Sequence, residues 1–508
     1  MGVLLISVQR DLDILGLKHL HHYLLANGQA SQLLFMPTAG RDGDRLHPGL
    51  ERFIAETRPS LVALSLMSLE FADAAAVTRF IRGKFPEIPV VWGGIQPTSD
   101  PETCFDVVDH ICVGEGERTM LDLARAAEQR QPFDGIPNIG RRVDGKYVQN
   151  ECYPLIEDLD SLPILRRIAP ESYIALRSGV APLDEKLFRR FARHAGRNYI
   201  TISSRGCPFG CAYCCNNQFR KLYKNWNVRR RSVGHIIGEL EQALADFPGV
   251  EYMNFHDDCF LACPIEYLKE FCREYKARIN RPLIAKSTPT YITDERLSLL
   301  KDAGLSWISL GLQSGSERVC QEIYNRKSLP KHFVEAAKTI HRYKIAAFYD
   351  VILDNPWETE QDQLDTVRAL IDTPKPFYPE IFSLVFYSGT ALREKAEKEY
   401  PNAIEDPTTK DYRIRHKRPV NDLVEIATTM HAPVMRWLVR CYEKNPKSMG
   451  TRVIIQFAKW YSRVVLTPLS YLLVIRLSQG GSWVKTLRVL PNYFKVGFTY
   501  YWHLFQSL

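Results

Sequence analysis

Three cysteines lie close together in the chain, Cys207, Cys211 and Cys214, with the spacing C-x3-C-x2-C. A loop of this length can bring three thiolates to one centre, and soft thiolate ligands suit an iron–sulfur cluster or zinc. Three ligands leave one metal position open, whereas a closed structural zinc site takes a fourth ligand. We expect the neighbouring Cys215 to point elsewhere. The spacing therefore predicts an iron–sulfur cluster with an open iron, with a zinc site as the alternative.

The other cysteines are scattered along a chain of 508 residues that has 12 in total. Residues 1–10 lack a basic stretch followed by an apolar one, so we expect no signal peptide and reduced, cytoplasmic thiols. Cysteines in this setting favour metal binding over a disulfide framework. Hydrophobic residues make up 45% and charged residues 24% of the chain, which excludes the disordered, collagen-like and coiled-coil classes.

The elements that position the cysteines follow from the hydrophobic pattern. Short apolar runs alternate with helical patterns after residue 196, and the cysteine triad comes directly after the first run. The six strand candidates are residues 199–203, 252–256, 283–286, 307–310, 348–353 and 380–386. Six strand–helix units in residues 196–400 predict a partial (β/α)6 barrel of the TIM type, with its chemistry at the carboxyl ends of the strands.

The same alternation occupies residues 1–145, with apolar runs at 3–7, 32–36, 61–66, 90–92 and 110–113. Strands that alternate with helices predict an α/β fold with a doubly wound, Rossmann-like sheet, whose ligands bind at the carboxyl ends of the strands. Prolines are closely spaced in residues 146–195, which we interpret as a linker with some helix. Residues 401–508 are interpreted as a helical C-terminal region.

The cysteine motif follows the first barrel strand, with Arg205-Gly206 before it and Tyr213 before the last cysteine. In this setting it resembles the signature of the radical S-adenosylmethionine (SAM) superfamily. The resemblance implies that the three thiolates hold a [4Fe-4S] cluster, that SAM binds the open iron, and that an electron from the cluster cleaves SAM to a 5′-deoxyadenosyl radical. It also implies an external electron donor of the flavodoxin or ferredoxin type.

Later strand ends resemble the SAM-binding positions of this superfamily. After the second barrel strand, Asp257 or Asp258 stands where the superfamily carries an acid for the SAM amino group. The run Gly-Leu-Gln-Ser-Gly-Ser, which contains Gln313 and Ser314, resembles the strand end that faces the ribose and methionine part of SAM. The other residues that the resemblance places at the SAM pocket are Tyr213, Lys286 and Ser287.

The N-terminal domain resembles the cobalamin-binding fold, whose signature begins with Asp-x-His-x-x-Gly. Asp13 stands at the histidine position, so the resemblance implies a cobalamin (methylcobalamin) with no imidazole from that position below the cobalt. The residues that carry the resemblance are Asp13, Gly16, Ser65, Leu66, Met67, Gly93, Gly94, Gly114 and Glu115. The alternative is a Rossmann-like domain without this cofactor; a dinucleotide is disfavoured because no Gly-x-Gly-x-x-Gly follows the first strand.

Histidines occur at two other places of interest. His19, His21 and His22 lie on the first predicted helix, and we expect them to be surface or packing residues. His256 comes at the end of the second barrel strand and is the better candidate for a pocket residue.

The C-terminal region is basic and aromatic. From His431 to the end the chain has eleven Lys or Arg residues and a single acidic residue, Glu443. Such a region suits the headgroup layer of an anionic membrane, a packed helical cap or, less well, nucleic acid. Only 12 uncharged residues separate Arg463 from Arg476, so we expect no membrane-spanning helix. We expect contact with the inner face of a membrane, which would favour a lipid-like substrate.

Together the two resemblances imply a cobalamin-dependent radical SAM enzyme that removes hydrogen from an unactivated carbon. Methyl transfer from cobalamin to a lipid or other natural product is the expected outcome, with a second SAM remethylating the cobalt; oxidative cyclisation or rearrangement is the alternative. A non-catalytic cobalamin or iron–sulfur sensor is the alternative of another class. A methylthiotransferase acting on tRNA is disfavoured because Cys104, Cys112 and Cys152 are too scattered to hold a second cluster.

Overall fold

The computed structural model describes residues 2–490, without the side chains of His194 and Ala195. It contains two α/β domains followed by a group of helices. The predicted fold class is confirmed, because the first sheet is doubly wound and the second is an open, all-parallel barrel.

The first domain is built on a nine-stranded sheet with the order β7-β6-β5-β4-β3-β1-β2-β8-β9. Its strands are β1 (Val3–Ser7), β2 (Ser31–Phe35), β3 (Leu61–Ser65), β4 (Val90–Gly93), β5 (His110–Cys112), β6 (Ile139–Val143), β7 (Lys146–Gln149), β8 (Ser172–Leu176) and β9 (Gly179–Pro182). The central strands pair in parallel. Every residue of β1 is buried, as expected for a parallel strand covered on both faces.

Helices cover both faces of this sheet. They are α1 (Leu15–Ala26), α2 (Ala39–Asp42), α3 (His47–Thr57), α4 (Phe71–Lys84), α5 (Ile95–Ser99), α6 (Pro101–Cys104), α7 (Glu117–Glu128) and α8 (Glu185–Phe191). Two separate apolar clusters lie on the two faces of the sheet, so each face has its own core.

The segment interpreted as a linker, residues 146–195, differs from that expectation. It supplies β7, β8 and β9, and β8 extends the parallel part of the first sheet by pairing with β2. Short antiparallel hairpins carry too few residues for a clear apolar alternation, and the prolines around them suggested a connection. The segment therefore belongs structurally to the first domain and does more than join the domains.

The second domain is a six-stranded parallel sheet with the order β10-β13-β14-β15-β16-β17, next to the antiparallel ribbon β11–β12. The strands are β10 (Asn198–Thr201), β11 (Ser204–Arg205), β12 (Arg229–Arg230), β13 (Tyr252–Phe255), β14 (Leu283–Ser287), β15 (Leu305–Gln313), β16 (Ala346–Leu353) and β17 (Tyr378–Ser383). Its helices are α9 (Asn216–Leu222), α10 (Val233–Asp246), α11 (Ile265–Arg278), α12 (Asp294–Asp302), α13 (Pro330–Arg342), α14 (Glu360–Asp372) and α15 (Ala391–Glu399). The first and last strands of the sheet do not pair with each other in the described chain, so the barrel is partial.

One capped helix end shows how the sequence fixes this domain locally. Thr359 and Asp362 form a capping box at the start of α14, in which each side chain accepts from the other residue's backbone N–H. The same Asp362 carboxylate accepts a hydrogen bond from Ser316 at 2.5 Å and pairs with Arg318 at 2.5 Å. The cap therefore also anchors the loop that follows β15.

Four helices follow the barrel: α16 (Pro419–Ala427), α17 (Ala432–Lys444), α18 (Met449–Tyr461) and α19 (Thr467–Ser478). Val474 of α19 packs against Tyr252, Trp307 and Ala346, which lie at or near the starts of barrel strands. Tyr471 of α19 stacks on a further strand-start residue, Tyr378, with 4.6 Å between the ring centroids. Helix α19 therefore closes the amino-terminal end of the barrel.

Within residues 2–490 no single helix is long and apolar enough to cross a membrane. One pair of helices, Met449–Ser478 and Trp483–Leu490, has the required length and apolarity when taken together, but it is bent by 116°.

Candidate functional site

A cavity of about 410 Å³ lies where the carboxyl ends of the two sheets face each other. The first domain contributes the loops after β1, β3, β4 and β5, and the second contributes β11, the start of α9 and the end of β13. Ligands of both fold types bind at these strand ends. The cavity therefore brings the functional edges of both domains to one place.

Glycines let the backbone of the first-domain wall approach its neighbours closely and leave the cavity free of side chains. Gly94 has a φ of +96°, and a Cβ there would lie 2.8 Å from Ser65 Oγ and 2.9 Å from the Leu66 carbonyl oxygen. Gly114 has a φ of +83°, and a Cβ there would overlap the Tyr223 hydroxyl of the second domain. Gly16 faces open space. The wall is therefore a backbone cradle that side chains would fill or strain.

The structure brings most of the predicted cobalamin residues to this cavity. Those that line it are Gly16, Ser65, Gly93, Gly94, Gly114 and Glu115. Leu66 does not line it and is buried in the core, and Met67 is exposed.

Asp13 also lies outside the cavity lining, contrary to the expectation from its motif position. Its carboxylate is buried and pairs with the buried Lys18 ammonium at 3.4 Å. Burial raises the pKa of Asp13 and lowers that of Lys18, although each charge favours the other. Asp13 therefore serves the interior of its own domain.

Buried ion pairs join the two domains beside the cavity. Arg205 in β11 lies 2.6 Å from Glu117 and 3.5 Å from Glu115, and Arg229 in β12 lies 2.6 Å from Glu115. The backbone N–H of Glu115 also donates to the Tyr223 hydroxyl at 2.8 Å. Burial alone would raise the pKa of Glu117, but the charge and hydrogen bond of Arg205, with smaller contributions from a backbone N–H and the Arg229 charge, together lower it. The Glu117 carboxylate is thus held ionised between the domains.

The cysteine triad lies on the loop between β11 and α9. The loop is folded on its own backbone, because Asn217 donates to the Cys211 carbonyl and to the Cys214 carbonyl at 3.2 Å. Arg220 donates to the Cys207 carbonyl at 2.7 Å. All three cysteines are partly exposed.

The donor set of this loop fits a cluster better than a single ion. No group of three His, Cys, Asp or Glu side chains in the described chain closes on one ion, which disfavours a mononuclear zinc site. A [4Fe-4S] cluster instead takes one thiolate at each of three irons. Hydrogen bonding from the Cys215 thiol lowers the pKa of Cys214 to about 7 against the effect of burial, whereas burial raises the pKa of Cys207 to about 12. Cys215 also lines the cavity and acts on Cys214.

The two candidate aspartates after β13 have different environments. Asp257 is 1% exposed and accepts hydrogen bonds from the Ser203 backbone N–H at 3.0 Å, from the Ser203 hydroxyl at 2.7 Å and from the Ser204 hydroxyl. Asp258 instead lines the cavity, where desolvation raises its pKa. Asp257 therefore fixes the loop after β10, and Asp258 is the carboxylate available to a ligand.

The end of β15 holds polar groups that lack protein partners. Gln313 adopts a φ of +67° at a break in the pairing with β16, and its Oε1 is buried with no hydrogen-bond partner among the described residues. Ser314 donates to Glu358 Oε1 at 2.9 Å, while Glu358 Oε2 has no such partner. Burial raises the pKa of Glu358 to about 7. Strained backbone and orphaned acceptors together indicate a polar ligand at this strand end.

Tyr213 does not line the cavity and is instead hydrogen-bonded by an arginine. Arg326 donates to the Tyr213 hydroxyl at 2.7 Å and to the Gly311 carbonyl at 2.9 Å. This pair connects the cysteine loop to the end of β15.

The barrel interior is hollow. Along β14 to β17 the outward residues are buried, whereas the inward ones stay partly accessible. Lys286 is one of these inward residues, and Ser287 next to it is buried, with its hydroxyl donating to the Thr288 carbonyl at 3.2 Å. Asp350 and Glu380 lie opposite each other on β16 and β17, and burial followed by the Glu380 charge raises the pKa of Asp350 well above its usual range. The chamber therefore has polar walls above the aromatic floor at α19.

Several residues in or beside the cavity wall belong to no recognisable motif. They are His19, Asn216, Phe219, Trp226 and Arg229, of which all but Arg229 line the cavity directly. Phe219 and Trp226 stack with their ring centroids 5.2 Å apart. Only their nearness to the cysteine motif or to the predicted first helix could have pointed to them.

We predict that Arg205→Ala lowers the free energy of unfolding by about 3–5 kcal/mol at pH 7, because it leaves Glu117 buried without its main partner. The folded pKa of Glu117 lies below its unfolded value, so the pair stabilises above about pH 4.3 and the contribution is lost as the pH falls through the folded pKa. Urea unfolding followed by circular dichroism at pH 7 and at a series of pH values below about 4.3 measures both effects.

The matched control is Arg52→Ala, which breaks an exposed ion pair with Glu56 at 2.8 Å. Exposed pairs contribute about 0.2–1 kcal/mol, so this variant should stay close to the unmodified protein. Equal losses in both variants would show that the buried pairs do not join the domains.

Comparison with known proteins agrees with this geometry. Residues 1–124 match the family model of the B12 binding domain, and residues 201–370 match that of the Radical SAM superfamily. An uncharacterised methyltransferase of Pyrococcus horikoshii is 24% identical over 383 residues, which cover 74% of this chain and 75% of that protein.

A second relative, the anaerobic magnesium-protoporphyrin IX monomethyl ester cyclase of Synechocystis sp., is 25% identical over 302 residues, 58% of this chain; the chain spans 56% of the cyclase. The solved structure of the cobalamin-dependent S-adenosylmethionine radical enzyme OxsB shares the fold, with a TM-score of 0.67 and 15% identity over 98% of this chain and 81% of OxsB. This chain therefore has a B12-binding domain followed by a radical SAM domain, the arrangement found in the cobalamin-dependent radical SAM enzymes.

Proposed function

We propose that this enzyme removes hydrogen from an unactivated carbon of a small molecule and transfers a methyl group to it. The observation that carries the proposal is the cavity whose wall combines the glycine cradle of the first domain with Gly206 and Cys215 of the cysteine loop. When bound, the [4Fe-4S] cluster supplies the electron that cleaves SAM and cobalamin supplies the methyl group.

The residues that would hold the cluster and SAM follow from their environments. Cys207, Cys211 and Cys214 hold the three irons that SAM does not occupy. Asp258 accepts from the SAM amino group, since Asp257 is saturated by Ser203 and Ser204. At the end of β15, Gln313 Oε1 and Glu358 Oε2 offer unpartnered acceptors to the ribose and methionine part, and Ser314 holds Glu358 in place. The barrel side of this pocket would be formed by Lys286, Ser287 and Tyr213.

The residues that would hold cobalamin act mainly through their backbone. Gly16, Gly93, Gly94 and Gly114 let the chain approach the cofactor closely, with Ser65 and Glu115 beside them. Because Asp13 is paired with Lys18 inside its domain, it gives the cobalt no ligand. A cofactor held by these residues would also keep water from the mouth of the barrel.

The relatives support methyl transfer first and cyclisation second. The Pyrococcus horikoshii relative, which covers 74% of this chain, is a methyltransferase. The Synechocystis relative, which covers 58%, is a cyclase. The hollow chamber with aromatic residues at its floor suits a substrate with an apolar body, such as a lipid or another natural product. A radical cyclase or rearrangement enzyme of the same architecture is the second candidate.

We also propose a cytoplasmic site and an external flavodoxin- or ferredoxin-type electron donor. The cluster needs low-potential electrons, and the described chain shows no second group of cysteines that would store them.

The C-terminal helices support a peripheral contact with an anionic membrane. Met449, Val453, Phe457 and Trp460 recur along one side of α18 and are 77%, 59%, 66% and 56% exposed. An apolar helix face with aromatic residues suits the headgroup boundary of a bilayer. Among the aromatic residues predicted for this contact, Tyr493, Phe494, Tyr500, Tyr501, Trp502 and Phe505 lie outside the described residues.

Charge favours lipid over a second copy of the chain as the partner of this face. The exposed basic residues of the same C-terminal region include Lys447, Arg452, Lys485 and Arg488. Two such surfaces would repel each other, whereas an anionic bilayer attracts each of them.

Our first functional prediction concerns the triad. Anaerobically reconstituted protein should hold four irons per chain and convert SAM to 5′-deoxyadenosine under strong reductant, as expected for one [4Fe-4S] cluster. Alanine at Cys207, Cys211 or Cys214 should abolish both, because each thiolate carries one iron. Iron analysis and chromatography of the nucleoside give the readouts.

Cys215→Ala separates ligand from neighbour: it removes a thiol that hydrogen-bonds Cys214 without being a ligand, so this variant should keep the iron. A cluster-replete protein that forms no 5′-deoxyadenosine would contradict catalysis and favour a sensor. Loss of iron in the Cys215 variant equal to that in the triad variants would contradict the ligand assignment.

Methyl transfer predicts a particular mass change. Deleting the protein from its host should remove a metabolite or lipid that is 14 mass units heavier than its accumulated precursor, because a methyl group replaces hydrogen. Mass spectrometry of small-molecule and lipid extracts measures this difference. A pair that differs by 2 units, or an isomeric pair, would instead establish cyclisation or rearrangement.

The membrane proposal predicts that the full chain co-sediments with phosphatidylglycerol–phosphatidylcholine vesicles more than with phosphatidylcholine alone. Replacing both Phe457 and Trp460 by Glu should weaken this binding about tenfold or more, because two large apolar groups no longer enter the headgroup boundary. Val143→Glu, at a 40% exposed apolar residue of the first domain, is the control. Unchanged sedimentation of the Phe457/Trp460 variant would reject this face as the contact.

A further inference from the structure

The three histidines of α1 have unlike environments. His21 is satisfied on both nitrogens, with Nδ1 2.9 Å from Ser31 Oγ and Nε2 2.7 Å from the Pro170 carbonyl. His22 is satisfied too, since its Nδ1 lies 2.8 Å from the Lys18 carbonyl and the Arg166 backbone N–H donates to its Nε2 at 3.1 Å. These two histidines are structural residues of the first domain, as the sequence suggested.

His19 differs from both. It is only 6% exposed, yet neither Nδ1 nor Nε2 has a hydrogen-bond partner among the described residues. A buried polar group without a partner is costly, and in a native structure it calls for an explanation. Since His19 belongs to the wall of the 410 Å³ cavity, the explanation lies in what fills that cavity.

An internal water does not account for both ring nitrogens. The second space beside His19, enclosed by residues that include Leu159, Ile202 and Arg231, has a volume of about 10 Å³, which is at most one water. The two nitrogens point away from each other across the ring, so one water can serve only one of them. At least one nitrogen therefore needs a partner from the cavity.

The surroundings of His19 set its charge. Burial, followed by the charges of Arg205 and Arg231, lowers the pKa of His19 well below its usual value. The ring is therefore neutral at physiological pH and offers one N–H donor and one acceptor nitrogen. A carboxamide carries the matching acceptor and donor, and the rim of a corrin ring bears several carboxamide side chains.

We propose that His19 is a corrinoid-binding residue whose neutral imidazole hydrogen-bonds a side-chain carboxamide of the cofactor. The inference rests on the proposed function, because it requires a corrinoid in the cavity. It differs from cobalt ligation. A metal-bound histidine nearly always donates its other N–H to a carboxylate or carbonyl, and in the described chain no such acceptor holds His19.

The test uses the full-length apoprotein and hydroxocobalamin, with affinity measured by absorbance titration. His19→Ala should weaken binding about tenfold, the effect of losing one buried hydrogen bond. His19→Gln should bind within about threefold of the unmodified protein, because its amide also offers a donor and an acceptor. The matched control, His22→Ala, should lower the thermal midpoint without changing the affinity, since its partners belong to the protein.

A spectroscopic readout separates the proposal from axial ligation. The protein is loaded with cobinamide, which has the corrin ring but no nucleotide base, and is reduced to the Co(II) state for electron paramagnetic resonance. We expect no splitting from a coordinated nitrogen. Such splitting in the unmodified protein, lost in His19→Ala, would overturn the carboxamide assignment in favour of a cobalt ligand.

The outcomes also separate this inference from the proposed function. If the unmodified protein binds no corrinoid, both are overturned together. If it binds hydroxocobalamin and His19→Ala binds equally well, the role of His19 is overturned and the proposed function stands.

Discussion

Two carboxylates of the first domain and two guanidinium groups of the second are buried together where the domains meet, and the geometry of the site depends on them. Arg205–Glu117 and Arg229–Glu115 each close to 2.6 Å. Charges withdrawn from water gain little net stability by pairing but lose much when one partner is removed. The pairs therefore act chiefly as a constraint on relative position. Because β11 leads directly into the cysteine loop, this constraint sets the loop opposite the glycine cradle.

The sequence was most informative where chemistry restricts the residue type. Only cysteine supplies the thiolates of the triad, and only glycine accepts the positive φ of Gly94 and Gly114 next to close neighbours. The strand–helix alternation predicted both sheets, because parallel strands are buried on both faces and therefore have continuous apolar runs in the sequence. These features are local in sequence, so they can be identified without knowledge of tertiary contacts.

What the sequence could not supply depends on contacts between distant residues. The motif position of Asp13 suggested the cofactor site. In the structure its carboxylate instead pairs with the buried Lys18 ammonium inside the domain. His19, His21 and His22 look alike on one helix, and only their partners separate them: Ser31, Pro170 and Arg166 come from other elements. Likewise, the strands in residues 146–195 are defined by the sheet edges that receive them. Each case needs the fold before the role can be assigned.

The C-terminal helices add a second constraint, which acts on the opposite end of the barrel. Helix α16 anchors the segment from α18 to α19, because Asp422 accepts from Lys459 at 2.7 Å and Glu425 pairs with Arg463 at 2.5 Å. Val474 of this segment packs against the amino-terminal end of the barrel, which forms its floor. With the floor closed, a substrate enters the hollow chamber from the carboxyl ends of the strands, the side on which the two domains face each other.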